Sequence, residues 1–159
     1  MNILKIQQDL LKALIKGVNV EYSSDFTETN TYITMDGKVG YVIPDNDLLV
    51  DFKHLENAQP CMDLDLEDLV RANYKLIGTD EYRRSGTARK YVSISAFGEE
   101  PEVVYVDTSL LKNFDCPTLY KRPGDPRSMC VVTEDRFNTG EQTVVGMVVP
   151  VIVKDDANN

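Results

Sequence analysis

The sequence predicts an α+β fold assembled from a tandem pair of β-α-β-β-β units, and three observations carry that expectation. Residues 3–16 place Ile3, Ile6, Leu10 and Leu14 at three- and four-residue spacing, with Leu4, Leu11 and Ile15 beside them, which is the period of an amphipathic helix. Most of the remaining chain consists of short runs rich in Val, Ile and Tyr, separated by Gly, Pro, Asn and Asp, which is the pattern of strands and turns. The chain also repeats itself. ILKIQQDLLKAL at 3–14 lies over VVYVDTSLLKNF at 103–114, YITMDG at 32–37 over VVTEDR at 131–136, and VGYVIP at 39–44 over VGMVVP at 145–150. The matched segments follow the same order in both halves. Paired about a twofold axis, two such units bury their helical stripes on one face of a joined, mostly antiparallel sheet.

Each element has a local reason. The first helix ends at Gly17, a natural C-terminal stop. Asp36-Gly37, between Tyr32-Ile33 and Val39–Ile43, is a strong hairpin signal. Pro44 with Asp45-Asn46 makes the next turn, and Leu48–Phe52 reads as a further strand. The run PCMDLDLEDLV at 60–70 fits either a strand, with Met62, Leu64 and Leu66 on one side, or a short acidic helix. YKLIGTDEY and ARKYVSISAF read as strands around the loop YRRSGTA, and EEPEVVYVD as a short β run. DTSLLKNF opens a second helix with Asp107 or Thr108 as its cap. LYKRPGDPRS is a turn-rich connection carrying Lys121, Arg122 and Arg127. SMCVVTED and QTVVGMVVPVIVK close the fold as two strands joined through RFNTGE. One domain over 1–154 follows, with repeat units at about 1–55 and 101–154, a strand-rich connection at about 56–100, and a polar tail at 155–159.

Charge and motifs narrow the function. The 159 residues include 17 Lys plus Arg against 26 Asp plus Glu, a net charge of −9. A global field of that sign argues against coating nucleic acid or anionic membrane, while leaving room for a local basic face. No apolar run reaches the roughly 18 residues of a membrane span, and the start lacks a signal-peptide pattern, so a soluble, cytoplasmic protein is expected. Cys61, Cys116 and Cys130 form no CxxC or CxxH spacing, so they read as reduced thiols and not as a zinc or redox site. His54 is the single histidine and sits in a solvated setting, which removes the usual base of a nucleophilic triad. SGTAR at 85–89 and RPGDPR at 122–127 match neither phosphate-loop pattern. Carboxylate pairs such as Asp45/Asp47 and Asp155/Asp156 are the candidates for a divalent cation, and nothing else converges on them. A protein without catalysis, cofactor or metal is the expectation.

The repeat resembles the processivity fold of the DNA sliding clamps, whose domains are each a tandem pair of β-α-β-β-β units. VVYVDTSLLKNF is similar to the strand-then-helix entry of a clamp domain, and MCVVTED followed by VVGMVVPV to its penultimate and closing strands. MNILKIQQDLLKAL and VGYVIP echo the same elements, so the likeness spans nearly the whole chain. It implies two helices on one sheet face, DNA contact from that face, and a role in replication or recombination without catalysis. The length allows one such domain, so a closed ring would need about six copies. A phage or prophage protein that kept the fold and lost the ring has the same sequence pattern.

The candidate sites follow. Lys5, Lys12 and Lys16 on the first helix and Lys112 on the second are the residues to meet DNA through phosphate contacts that do not read sequence. Arg83, Arg84, Arg89 and Lys90 form the densest basic cluster and are candidates for a phosphate or other anion. Asp63, Asp65, Glu67 and Asp68 are candidates for a basic protein partner, or for mimicry of DNA in an interaction module, the alternative reading of this chain.

Overall fold

Hydrogen bonding between the two VGxV segments organises the molecule. The computed structural model describes residues 1–24, 29–60, 74–83, 86–94, 98–135 and 138–152. Among them lie one α-helix, α1 (Ile3–Ile15), and ten strands: β1 (Val20–Ser24), β2 (Asn30–Met35), β3 (Val39–Pro44), β4 (Ala58–Pro60), β5 (Tyr74–Arg83), β6 (Ala88–Ser93), β7 (Val103–Asp107), β8 (Thr118–Lys121), β9 (Cys130–Glu134) and β10 (Thr143–Val148). The strands join in the order β4-β1-β2-β3-β10-β9-β8-β5-β6-β7. All neighbours are antiparallel except β1 and β4, which are parallel. At the middle, β3 and β10 pair Tyr41 with Gly146 and Gly40 with Met147. Beyond β10, Val151 donates its N–H to the Tyr105 carbonyl at 2.7 Å. The chain leaving a central strand therefore reaches β7 at the sheet's far end, and the β5–β10 portion curls back on itself.

Local chemistry explains most elements. Asn2 caps α1, its side chain accepting the Lys5 N–H at 3.1 Å, and Gly17 at φ +75 ends the helix. Asp36 and Gly37 both take positive φ, 56° and 62°, the requirement of the tight hairpin their sequence signals. Ile6, Leu10, Ala13 and Leu14 of α1 pack into one apolar core with Val20, Ile33, Tyr41, Ile43, Phe52, Phe114 and Val145. Tyr32, Val42, Val131 and Met147 make a smaller cluster. Alternation along β2 and β3 separates the two sets onto opposite sheet faces. Met1 joins α1 to β9: its amine lies 2.9 Å from the buried Glu134 carboxylate.

Three expectations are corrected. The second helix is absent; Asp107 does cap a turn, accepting the Ser109 N–H at 2.9 Å, but only a 3-10 turn, Thr108–Leu111, follows. The N–H and C=O groups that would continue it find tertiary partners. Asn113 O accepts from Asn2 N–H at 2.9 Å and Asp115 N–H donates to Glu134 at 2.5 Å. Cys116 at φ +43 and Pro117 then turn the chain away from helix. Among the described residues the fold is thus α+β with one α-helix, not two. Leu48–Phe52 is likewise no strand, because Gln7, buried on α1, takes that backbone: its carboxamide accepts from Leu49 N–H at 2.8 Å and donates to Asp47 O at 3.0 Å. Residues 119–121, expected as the start of a turn-rich connection, belong instead to the strand Thr118–Lys121, which is bonded to both β5 and β9.

Candidate nucleic-acid interface

Helical spacing places Lys5, Lys12 and Lys16 along the outward side of α1, away from the buried stripe. Asp9 stands among them. Lys5 Nζ pairs with its carboxylate at 3.0 Å, and Lys112 Nζ approaches from the 3-10 turn at 3.9 Å. Asn113, buried beneath, donates to Asp9 at 3.3 Å and reaches the Tyr41 hydroxyl at 3.4 Å. Desolvation pushes the Asp9 carboxyl upward, but hydrogen bonds from Lys5 and Asn113 and the charges of Lys5 and Lys112 outweigh it, so its pKa falls below the ordinary value. Asp9 is therefore a fixed anion that gathers two lysines from distant parts of the chain. Lys12 and Lys16 make no ion pair among the described residues and remain exposed. Four cations and one carboxylate form a band of net positive charge on a chain of net −9.

The sequence named these four lysines but not what holds them. In the sequence Asp9 merely interrupts the lysine stripe of the first helix, and Asn113 gives no signal, since its role depends on a partner 104 residues away. Lys12 and Lys112 do not occupy equivalent points on paired helices, because the second helix is missing.

The basic hairpin does not form one site. Arg89 faces Val106 across the strands while Lys90 faces Tyr105, so alternation sends them to opposite faces. Arg83 lies over the Tyr105 ring, 5.2 Å from its centroid. Lys90 pairs with Glu81 at 2.8 Å, and that hydrogen bond raises its pKa. Arg89 donates Nε–H to Thr79 O at 2.7 Å and lies 5.5 Å over Tyr91. Arg84 falls outside the described residues, as do Asp63, Asp65, Glu67, Asp68, Cys61, Asp155 and Asp156.

Lys121 is not a surface cation. It is 3% exposed, and its ammonium donates to the Asp125 carbonyl, to Ser128 Oγ at 2.9 Å and to Arg122 O at 3.4 Å, tying the RPGDPRS loop to β8. Asp45 accepts from the Thr31 hydroxyl at 2.7 Å and His54 is exposed beside Asp51. Among the described residues no cluster of three or more His, Cys, Asp or Glu is arranged for a metal ion, and no helix is long and apolar enough to cross a membrane.

The thiols differ sharply. Cys130 is fully buried, and desolvation pushes its pKa up to about 12 against the lowering charge of Lys121. Cys116 is exposed. In a Cys61→Ser background, a thiol reagent at pH 8 is expected to modify native protein at Cys116 and leave Cys130 unreacted until denaturant is added, since the thiolate is the reactive form. Modification of Cys130 in the native state, read by peptide mass, counts against its place in the core.

No family model matches this chain, and neither the curated proteins nor the solved structures give a significant match.

Proposed function

We propose that this chain is a non-catalytic nucleic-acid-associated module, resembling one domain of a sliding clamp, that meets the phosphate backbone of DNA through Lys5, Lys12, Lys16 and Lys112. The observation that carries the reading is the convergence of the two LLK segments. Leu10–Lys12 and Leu110–Lys112 are far apart in sequence, yet the Asn2–Asn113 and Asp9–Asn113 hydrogen bonds bring them side by side. The tandem repeat belongs to the same proposal. Its support is the β3–β10 register: the pairs Gly40–Met147 and Tyr41–Gly146 exchange with one another when the two VGxV segments are interchanged. A twofold relation between the halves requires that pattern.

The physics of such contact is electrostatic. Each phosphate contact releases condensed counterions and adds a little under one to the slope of log affinity against log salt. A negative remainder of the molecule keeps it soluble while local potential decides where the polyanion lands.

Reversing Lys12 and Lys16 together to Glu tests this. Both are exposed and unpaired among the described residues, so the fold is expected to survive. Duplex DNA retention at low salt should fall by about tenfold or more, and the salt slope should shrink by about 2. Retention that is unchanged, or equally weak in the parent protein, overturns the reading.

A further inference from the structure

At the Lys112 end of the band the surface opens into a groove of about 740 Å3 between β5, β6, the 3-10 turn and the start of β8. Three cations line it, Lys75, Arg89 and Lys112, and among the described residues no carboxylate does. On a chain of net charge −9, that composition selects an anion. Arg89 is fixed in place: Nε is committed to Thr79 O and the guanidinium plane rests over Tyr91. It also lies so close to Gly78 that a Cβ there would come within 2.8 Å of Arg89 Cζ. A side-chain hydrogen bond also joins the guanidinium to Tyr91, and its five N–H donors exceed what these two acceptors use, which leaves donors for an oxyanion. Lys112 is 62% exposed. Leu111 and Pro117 supply half-buried apolar wall, and Ile77 an exposed lip.

We propose that this groove receives an unpaired nucleotide, its phosphate held by Arg89 and Lys112 and its base laid against Leu111 and Pro117. The proposal rests on the nucleic-acid reading above and narrows it to a single strand or strand end. A volume of this order falls within the range of sites for small organic ligands, roughly 300–1,000 Å3. A base inside a duplex is stacked and paired, so only an unpaired one can fill the apolar part. Phosphate alone would use the cations and leave that wall empty.

The test compares a short labelled single strand with a duplex of the same sequence by fluorescence anisotropy at low salt. In parallel, the rate of Cys116 alkylation is followed in a Cys61→Ser background, because Cys116 lines the groove. The parent protein is expected to favour the single strand. Arg89→Gln should weaken single-strand binding by about tenfold, the range of one stacked, phosphate-held base, and leave duplex binding unchanged. The single strand should slow Cys116 alkylation where the duplex does not. Should Arg89→Gln fail to fold, Lys112→Gln at an exposed position carries the comparison, its loss for the single strand expected to exceed its loss for the duplex.

Single-strand binding indifferent to both variants, or a bound strand that leaves Cys116 alkylation unchanged, overturns the groove while duplex retention through Lys12 and Lys16 still stands. Protection by thymidine monophosphate but not by the strand also overturns it, marking a site for free nucleotides. Absence of binding to either nucleic acid overturns the underlying reading and the groove with it.

Discussion

Replacing Gly146 by alanine is expected to cost about 3 kcal/mol of stability or more, the upper range for forcing atoms into a packed interior. A Cβ at this position would lie 2.3 Å from the Gly40 carbonyl oxygen and 2.7 Å from Phe114 Cζ. The first neighbour is backbone of the partner strand and cannot rotate away. The second is a buried ring already packed 5.3 Å from Tyr41. Gly40→Ala meets a different obstacle, the Tyr32 side chain at 2.2 Å. That obstacle is the outer end of a side chain and not backbone, so a smaller loss of about 1–3 kcal/mol is expected, partly recovered when Tyr32→Ala is added. Urea unfolding midpoints with unchanged m-values measure both. A Gly146→Ala protein as stable as its parent would mean that β3 and β10 do not meet as described, and the sheet order would fall with them.

Those two glycines mark how far sequence reasoning reached. The VGxV match located them, and the Asp36-Gly37 signal located the hairpin beside them, because both depend on residues close in sequence. The first helix is legible for the same reason: its period and its Gly17 stop are local. The second helix fails because DTSLLKNF carries a real cap and real apolar spacing, while the groups that take its backbone, Asn2 and Glu134, lie 19 residues away or more. Leu48–Phe52 was lost to Gln7 by the same kind of long-range competition. Propensity is a weak prior where a tertiary partner offers the backbone a better bond.

The basic hairpin failed differently. Density along the chain was taken for density in space, and a period of two sends adjacent residues to opposite faces. Arg89 consequently faces away from Lys90 and lines one groove with Lys112, which no spacing rule connects to it. Lys121 reads in sequence as one more turn cation, but it is the buried tie of its loop. Its neighbours Pro123, Gly124 and Pro126 mark a turn without saying what fills its centre.

The asymmetry between the halves makes the last expectation. If both LLK segments carried equal helices, Leu10 and Leu110 would be equivalent, and truncating either would remove the same contacts. Leu10 is fully buried, whereas Leu110 is half-buried at the edge of the core. Leu10→Ala should therefore cost about 3–4 kcal/mol, the transfer term plus an unrelaxed cavity. Leu110→Ala should cost about 1 kcal/mol, since only part of the side chain leaves water. Phe114, buried against Tyr41 four residues further on, fills core space near the missing helix, so Phe114→Ala should fall with Leu10→Ala and not with Leu110→Ala. Equal losses at Leu10 and Leu110 would place a full second helix in the folded protein and restore a symmetric pair. Unequal losses in the stated order would fit the proposed repeat with a turn in place of its second helix, a turn that sets Lys112 beside Asp9. The surface would then keep the lysine that the symmetric arrangement was expected to supply, held by hydrogen bonds instead of by a helix.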